Sequence, residues 1–211
     1  MSGEGVREQL VKYGRSLFER GYSCGSSGNL SVRLEDGGYL MTPTNVGLGE
    51  LDPGSLSRLD GGGQHVEGPP PTKEAWLHLA MYSGRPGDRA IVHLHSTHAV
   101  ALSCRSDRDP HDMLPPITPY VIMRVGTVPL VPYGRPGDSS LSSAITQLSL
   151  QHRSVLLANH GPVVAGGSLA GAVAAAEELE ETARLFFLLE ERPHRVLTVE
   201  QVEDVRRVFG R

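Results

Sequence analysis

Apolar positions along this chain switch between two periods, and the switching predicts an α/β protein. From residue 6 to 19, Val6, Leu10, Tyr13, Leu17 and Phe18 recur at helical spacing and define an amphipathic helix. Two short strands follow at 29–34 and 39–42, joined by Glu35-Asp36-Gly37-Gly38, a hairpin turn. A third strand at 56–59 is closed by Asp60-Gly61-Gly62-Gly63. Pro70 and Pro71 then stop regular structure, Thr72 takes a cap position, and 73–83 returns to a helical pattern. Residues 90–95, Ala90-Ile91-Val92-His93-Leu94-His95, form an apolar, β-branched run that reads as a buried strand. A helix is expected at 97–104, a proline-rich irregular stretch at 107–119, a short strand at 128–131 and a helix at 139–152. Strands at 155–159 and 163–165 flank a Gly161-Pro162 turn, and helices at 169–190 and 199–208 close the chain. Neither repeats nor a dividing linker occur, so residues 1–211 read as a single domain, one mixed sheet flanked by helices.

Composition narrows the function without naming it. A chain of 211 residues can bury a substantial core, and 39% hydrophobic content with a formal charge of −4 is ordinary for a globular protein. There is no basic excess, which argues against a nucleic-acid partner. The longest apolar stretches are strand-length, too short to span a bilayer, and the first ten residues lack a signal-peptide core. Cys24 and Cys104 form no Cys-x-x-Cys motif, which points to a reducing compartment, the cytoplasm.

Candidate chemistry sits at element ends. Side chains alternate faces along a strand, so His93 and His95 point the same way. They read either as polar residues at a strand end or as a pre-aligned pair of metal ligands. Glu74 falls in the first helical turn, where a carboxylate pairs with the helix dipole. His160 ends the run Val155-Leu156-Leu157-Ala158-Asn159 and reads as a turn residue or as a third imidazole. Three histidines with one open position suit a catalytic zinc. Gly28, Asn29, Thr44, Asn45, Thr72 and Lys73 place small residues and donors beside strand and helix ends, where turn chemistry and anion binding are both served. His98, His78, Trp76, Met81 and Tyr82 fall on helices; Trp76, Met81 and Tyr82 are read as core, His78, one turn beyond Glu74, as a core or surface residue or as one that faces the site, and His98 as a partner behind the ligands. Glu177, Glu178, Glu180 and Glu181 read as a solvated helix face.

These phrases together carry a resemblance. Gly28-Asn29-Leu30-Ser31-Val32-Arg33, Thr42-Pro43-Thr44, Lys73-Glu74, His93-Leu94-His95-Ser96-Thr97-His98 and Asn159-His160-Gly161 occur in the order found in the class II aldolase/adducin family, and the likeness runs from about residue 21 to about residue 189. The resemblance implies a three-layer α/β/α fold with Glu74, His93, His95 and His160 as metal ligands and Glu74 as the catalytic proton carrier. It implies one Zn2+ per chain, with Mn2+, Co2+ or Fe2+ also suited to the donors. Gly28, Asn29, Thr44, Asn45, Thr72 and Lys73 would surround a substrate phosphate. Tyr120 matches a tyrosine that reaches the active site of an adjacent subunit as a catalytic residue, where it would orient the substrate carboxylate or hydrogen-bond the enediolate, and a homotetramer with sites between subunits is implied.

The implied activity is loss of CO2 from a 3-oxo-tetronate 4-phosphate, a phosphorylated four-carbon sugar acid, to leave dihydroxyacetone phosphate. Such a β-keto acid releases an electron pair into its C3 carbonyl, and zinc would stabilise the resulting enediolate as a Lewis acid. A sugar-phosphate aldolase or epimerase would use the same site. An adducin-like module without catalysis is the alternative of another class, and it need not keep the four ligands. No membrane partner is expected.

Overall fold

The computed structural model describes residues 3–209. An opening helix α1 (Gly3–Glu19) leads to four short strands, β1 (Asn29–Arg33), β2 (Tyr39–Met41), β3 (Ser57–Leu59) and β4 (His65–Glu67). Helix α2 (Ala75–Gly84), strand β5 (Ala90–His93) and helix α3 (Thr97–Ser103) follow. Helix α4 (Pro119–Arg124), strand β6 (Leu130–Val131) and helix α5 (Ser142–Ser149) precede the hairpin of β7 (Ser154–Leu157) and β8 (Gly161–Gly166). Helices α6 (Leu169–Leu189) and α7 (Val199–Phe209) complete the described chain.

The strands form one mixed sheet in the order β4-β3-β2-β1-β5-β8-β7-β6. All neighbours are antiparallel except β6 and β7. Alternation along each strand sends residues into two cores. On one face, Ala90, Val92 and Leu94 join Leu30, Leu156 and Val164 beneath α1, α3, α4 and α6. On the other, Ile91 joins Val155 and Val163 beneath α2 and α5, through Leu77, Met81 and Ile145. The expected three-layer arrangement is therefore present. The parity of β5 also puts His93 on the α2 face, with Ile91.

Several local expectations change. Strand β4 went unread because all three of its residues are exposed and only Val66 is apolar. A polar edge strand leaves no hydrophobic signature. Helix α4 begins on the last residue of the stretch expected to be irregular, where Pro119 takes the first turn and the Thr118 hydroxyl accepts from Val121 N. The Gly161-Pro162 pair is not a turn. Leu156 faces Pro162 and Leu157 faces Gly161 across the hairpin. Residues 158–160 make the turn, and Asn159 takes the left-handed conformation there, at φ 57°. Helix α2 begins at Ala75, two residues later than expected.

Candidate metal centre and active site

Three segments supply the four ligand candidates, and the sheet brings them together. His93 ends β5 and is fully buried. Its Nδ1–H donates to the carbonyl oxygen of Pro162 at 2.9 Å, which leaves the Nε2 lone pair facing outward. His95 lies past the strand end, with its Nε2 3.0 Å from that of His93. His160 arrives on the β7–β8 turn, and its Nε2 is 3.0 Å from the Nε2 of His95. That approach needs glycine at 161, since a Cβ there would collide with the Leu94 carbonyl.

Glu74 is the N-cap residue of α2, but its side chain makes no capping bond. The carboxylate instead turns to the histidines, with Oε1 3.1 Å from His160 Nε2 and Oε2 3.3 Å from His93 Nε2. The dipole-pairing role that position alone suggests is thus not its main engagement. Asn29 Nδ2 donates to Glu74 Oε2 at 2.8 Å and fixes the carboxylate further.

The four donor atoms lie within 4.8 Å of one another. A tetrahedral site with bonds of about 2.0–2.1 Å has edges of about 3.3 Å. Separations of 3.0 and 3.0 Å between imidazole nitrogens, and of 3.1 and 3.3 Å from the two Glu74 oxygens to His160 and His93, are near that edge. The residues therefore fit a divalent ion of zinc's size and donor preference.

Electrostatics keep the donors in ligand form. Burial pushes the Glu74 carboxyl upward, but the polar contacts with His160, His93 and Asn29 outweigh it, leaving the group ionised well below the usual carboxylate range. Burial lowers His95 to about 4, assisted by the neighbouring imidazoles, so it is neutral near pH 7. A neutral imidazole and an ionised carboxylate are what a metal requires.

A cleft of about 160 Å³ opens beside these ligands. Gly28, Asn29, Thr44, Asn45, Thr72 and Lys73 all line it, together with Glu74, His95 and His160. Ser26, Ser27, Pro43 and Pro136 also line it and went unread as site residues. The two serines stood in the Gly-Ser loop, whereas nothing local marked Pro136. Two backbone bonds clamp the opposed loops: Thr44 N donates to Pro70 O and Thr72 N to Thr42 O. Asn45 is held at φ 61°, a conformation that asparagine tolerates better than most residues. Lys73 is exposed at this wall.

Other sequence candidates lie elsewhere. Tyr120 is 53% exposed on α4 and does not line the cleft. His98 is outside the ligand set, with its Nδ1 2.8 Å from Glu180 Oε1. Glu180 is not part of a solvated face as expected. It is buried, and its two oxygens accept from the backbone N–H groups of His98 and Ala99, capping α3 from a distant helix. Helical spacing carried a signal that went unused: Glu180 stands four residues after Ala176 and three before Ala183, in line with the buried stripe of α6.

The profile of the Class II Aldolase and Adducin N-terminal domain matches residues 8–187. The chain belongs to this family. The 3-oxo-tetronate 4-phosphate decarboxylase of Escherichia coli K12 is 48% identical over 203 residues, covering 96% of each chain. The L-fuculose phosphate aldolase of the same strain is 31% identical, over 86% of this chain and 82% of its own. The crystal structure of YgbL from Klebsiella pneumoniae is 50% identical with a TM-score of 0.95, covering 98% of this chain and 100% of that one. The fold is that of the class II aldolases. Among the described residues, no helix is long and apolar enough to cross a membrane.

Proposed function

We propose that this class II aldolase family member decarboxylates 3-oxo-tetronate 4-phosphate, yielding dihydroxyacetone phosphate and CO2. The observation that carries the reading is the convergence of Glu74, His93, His95 and His160 beside a cleft with anion donors, in a chain 48% identical to decarboxylases of that substrate. The four residues would hold one divalent ion, zinc in the first place, with Mn2+, Co2+ or Fe2+ also compatible. When bound, the ion supplies Lewis acidity toward the substrate's oxygens.

The chain's own residues supply position and a proton. Gly28, Thr44, Asn45, Thr72 and Lys73 take the C4 phosphate, with Asn29 standing between that end and Glu74. Anchoring there aims C1 to C3 at the histidine end, so remote binding energy orients the reacting carbons. Breaking the C1–C2 bond releases CO2 and sends the electron pair into the C3 carbonyl. The Glu74 carboxylate, ionised at rest, takes up a proton from solvent and passes it to C2, which balances the one proton the reaction consumes. CO2 leaves without needing a proton, so Tyr120 has no leaving group to protonate in this reaction. We place Tyr120 at a neighbouring copy's site in a homotetramer, a reading supported by its exposure.

Incubation with the D and L forms of 3-oxo-tetronate 4-phosphate, following CO2 and dihydroxyacetone phosphate, tests the proposal. Stoichiometric formation of both supports it, and absence of CO2 with either form refutes it. The 31% likeness to L-fuculose phosphate aldolase favours aldol cleavage as the second reading. That activity would show as aldehyde release without CO2. A non-catalytic module is disfavoured by the complete ligand set.

A further inference from the structure

Behind Glu74 runs a chain of buried polar groups that the proposed reaction does not use. Asn29 Nδ2 meets Glu74 Oε2 at 2.8 Å, and Asn29 Oδ1 meets His78 Nε2. His78 Nδ1 lies 2.7 Å from Ser31 Oγ, which lies 3.0 Å from Tyr82 Oη. His78 and Ser31 are fully buried, Tyr82 is 1% exposed and Asn29 5% exposed. Strand parity explains the placement: Asn29 and Ser31 on β1 face α2, which contributes His78 and Tyr82 one helical turn apart.

The direction of every bond follows from its last member. An ionised carboxylate only accepts, so Asn29 must present its NH2 to Glu74 and its carbonyl oxygen to His78. His78 Nε2 must then carry the proton. His78 is fully buried and its two ring nitrogens meet an amide oxygen and a hydroxyl, neither of them charged, so the ring is neutral and its Nδ1 is an acceptor. Ser31 therefore donates to His78, and Ser31 Oγ is left to accept from the Tyr82 hydroxyl. Donors point from Tyr82 through Ser31, His78 and Asn29 to Glu74 without a break.

We propose that His78 is a positioning residue: in one fixed tautomer it locks the Asn29 amide so that it donates to Glu74, and thereby holds that carboxylate in place for the metal and for proton delivery. This rests on the metal reading of the Glu74 cluster. Without His78, the Asn29 amide is free to flip and turn its carbonyl oxygen toward a carboxylate, which is repulsive. The effect of disruption should fade with distance along the chain, from His78 to Ser31 to Tyr82. A role confined to packing would not grade the zinc affinity in that way.

The test uses the full-length chain. Zn2+ affinity is measured by chelator competition for wild type, His78→Leu, His78→Gln, Ser31→Ala and Tyr82→Phe, each checked for a cooperative melt. Loss of a partner behind a metal ligand costs about 10–100-fold in affinity or activity, and His78→Leu should show that loss. His78→Gln keeps a donor toward Asn29 and should recover most of it, with Ser31→Ala weaker in effect and Tyr82→Phe weakest. Histidine 15N NMR of the wild type should show His78 protonated on Nε2. The Nδ1-protonated form overturns the proposal, as does a folded His78→Leu with unchanged zinc affinity and kcat. Should His78→Leu not fold, the tautomer and the Ser31→Ala affinity decide. A wild-type chain that binds no divalent ion would refute the metal reading instead, while the tautomer would still report on the hydrogen-bonded chain.

Discussion

The two ends of the active-site cleft are built differently. At the histidine end, His93 is fully buried at a strand end, its ring is fixed by the Pro162 carbonyl, and Glu74 is held by Asn29. At the anion end, Gly28, Thr44, Asn45, Thr72 and Lys73 sit on loops, and Lys73 is exposed. One end is determined several times over by packing and hydrogen bonds. The other relies on two clamped loops and side chains that water also reaches. A substitution at the first should remove a function, whereas one at the second should weaken it.

The largest effect belongs to the metal ligands. His93→Ala or His95→Ala should abolish metal retention and turnover together, because a site of this kind tolerates little ligand loss. Metal analysis of the purified variants checks this, and full occupancy in both would remove the distinction between the two ends. Glu74→Gln comes next. It keeps the shape and an oxygen donor but not the carboxylate, so metal should remain, more weakly, while kcat drops by about a hundredfold or more. Near-normal turnover with metal bound would take Glu74 out of the chemistry.

At the loop end, Lys73→Ala should lower kcat/KM for the phosphorylated substrate by about 1.5–3 kcal/mol, the worth of a charge-assisted contact. Residual turnover of the dephosphorylated analogue should hardly change. Equal losses with both substrates, or none, would move the phosphate elsewhere and leave Lys73 as a solvated residue before α2.

The smallest effect is on stability and returns to the histidine end. Burial holds folded His95 at about 4 against 6.5 for an ordinary imidazole, so the unfolded chain binds more protons between those values. The metal-free protein should therefore lose stability as pH falls from about 6.5 to about 4, and lose no more from this group below that. Fully buried His78, lowered to about 3, extends the same loss to lower pH. Melting temperatures of the metal-free protein across this range check the sign. Zinc affinity should weaken over the same window, since protons compete for the ligand nitrogens.

Much of the histidine end was legible because strand periodicity is local. Ile91 and Val92 marked β5, and the two-residue spacing of His93 and His95 put them on one side before any partner was known. The hairpin after β7 was misread locally, since Gly161-Pro162 looks like a turn. Only the pairing of β8 with β5 and β7 shows that glycine is needed there for close approach to Leu94. Glu180 was misread for a related reason. Helical spacing sets Glu180 apart on the apolar stripe of α6, but only the packing of α3 shows what it does there, accepting from backbone N–H groups in the first turn of that helix.

The sequence by itself determined which residues could ligate, which runs would be strands and helices, and the family resemblance that joined them. Composition, period and spacing are properties of neighbours along the chain, so they survive without coordinates. Only the tertiary structure decided that β1 and β5 pair with Asn29 opposite His93, that α2 lies over that face, and that the hairpin carries His160 to the same point. Those contacts join residues far apart in sequence. Their register is fixed by burying two apolar cores on opposite faces of one sheet, and a slip of one residue would turn His93 away from Glu74.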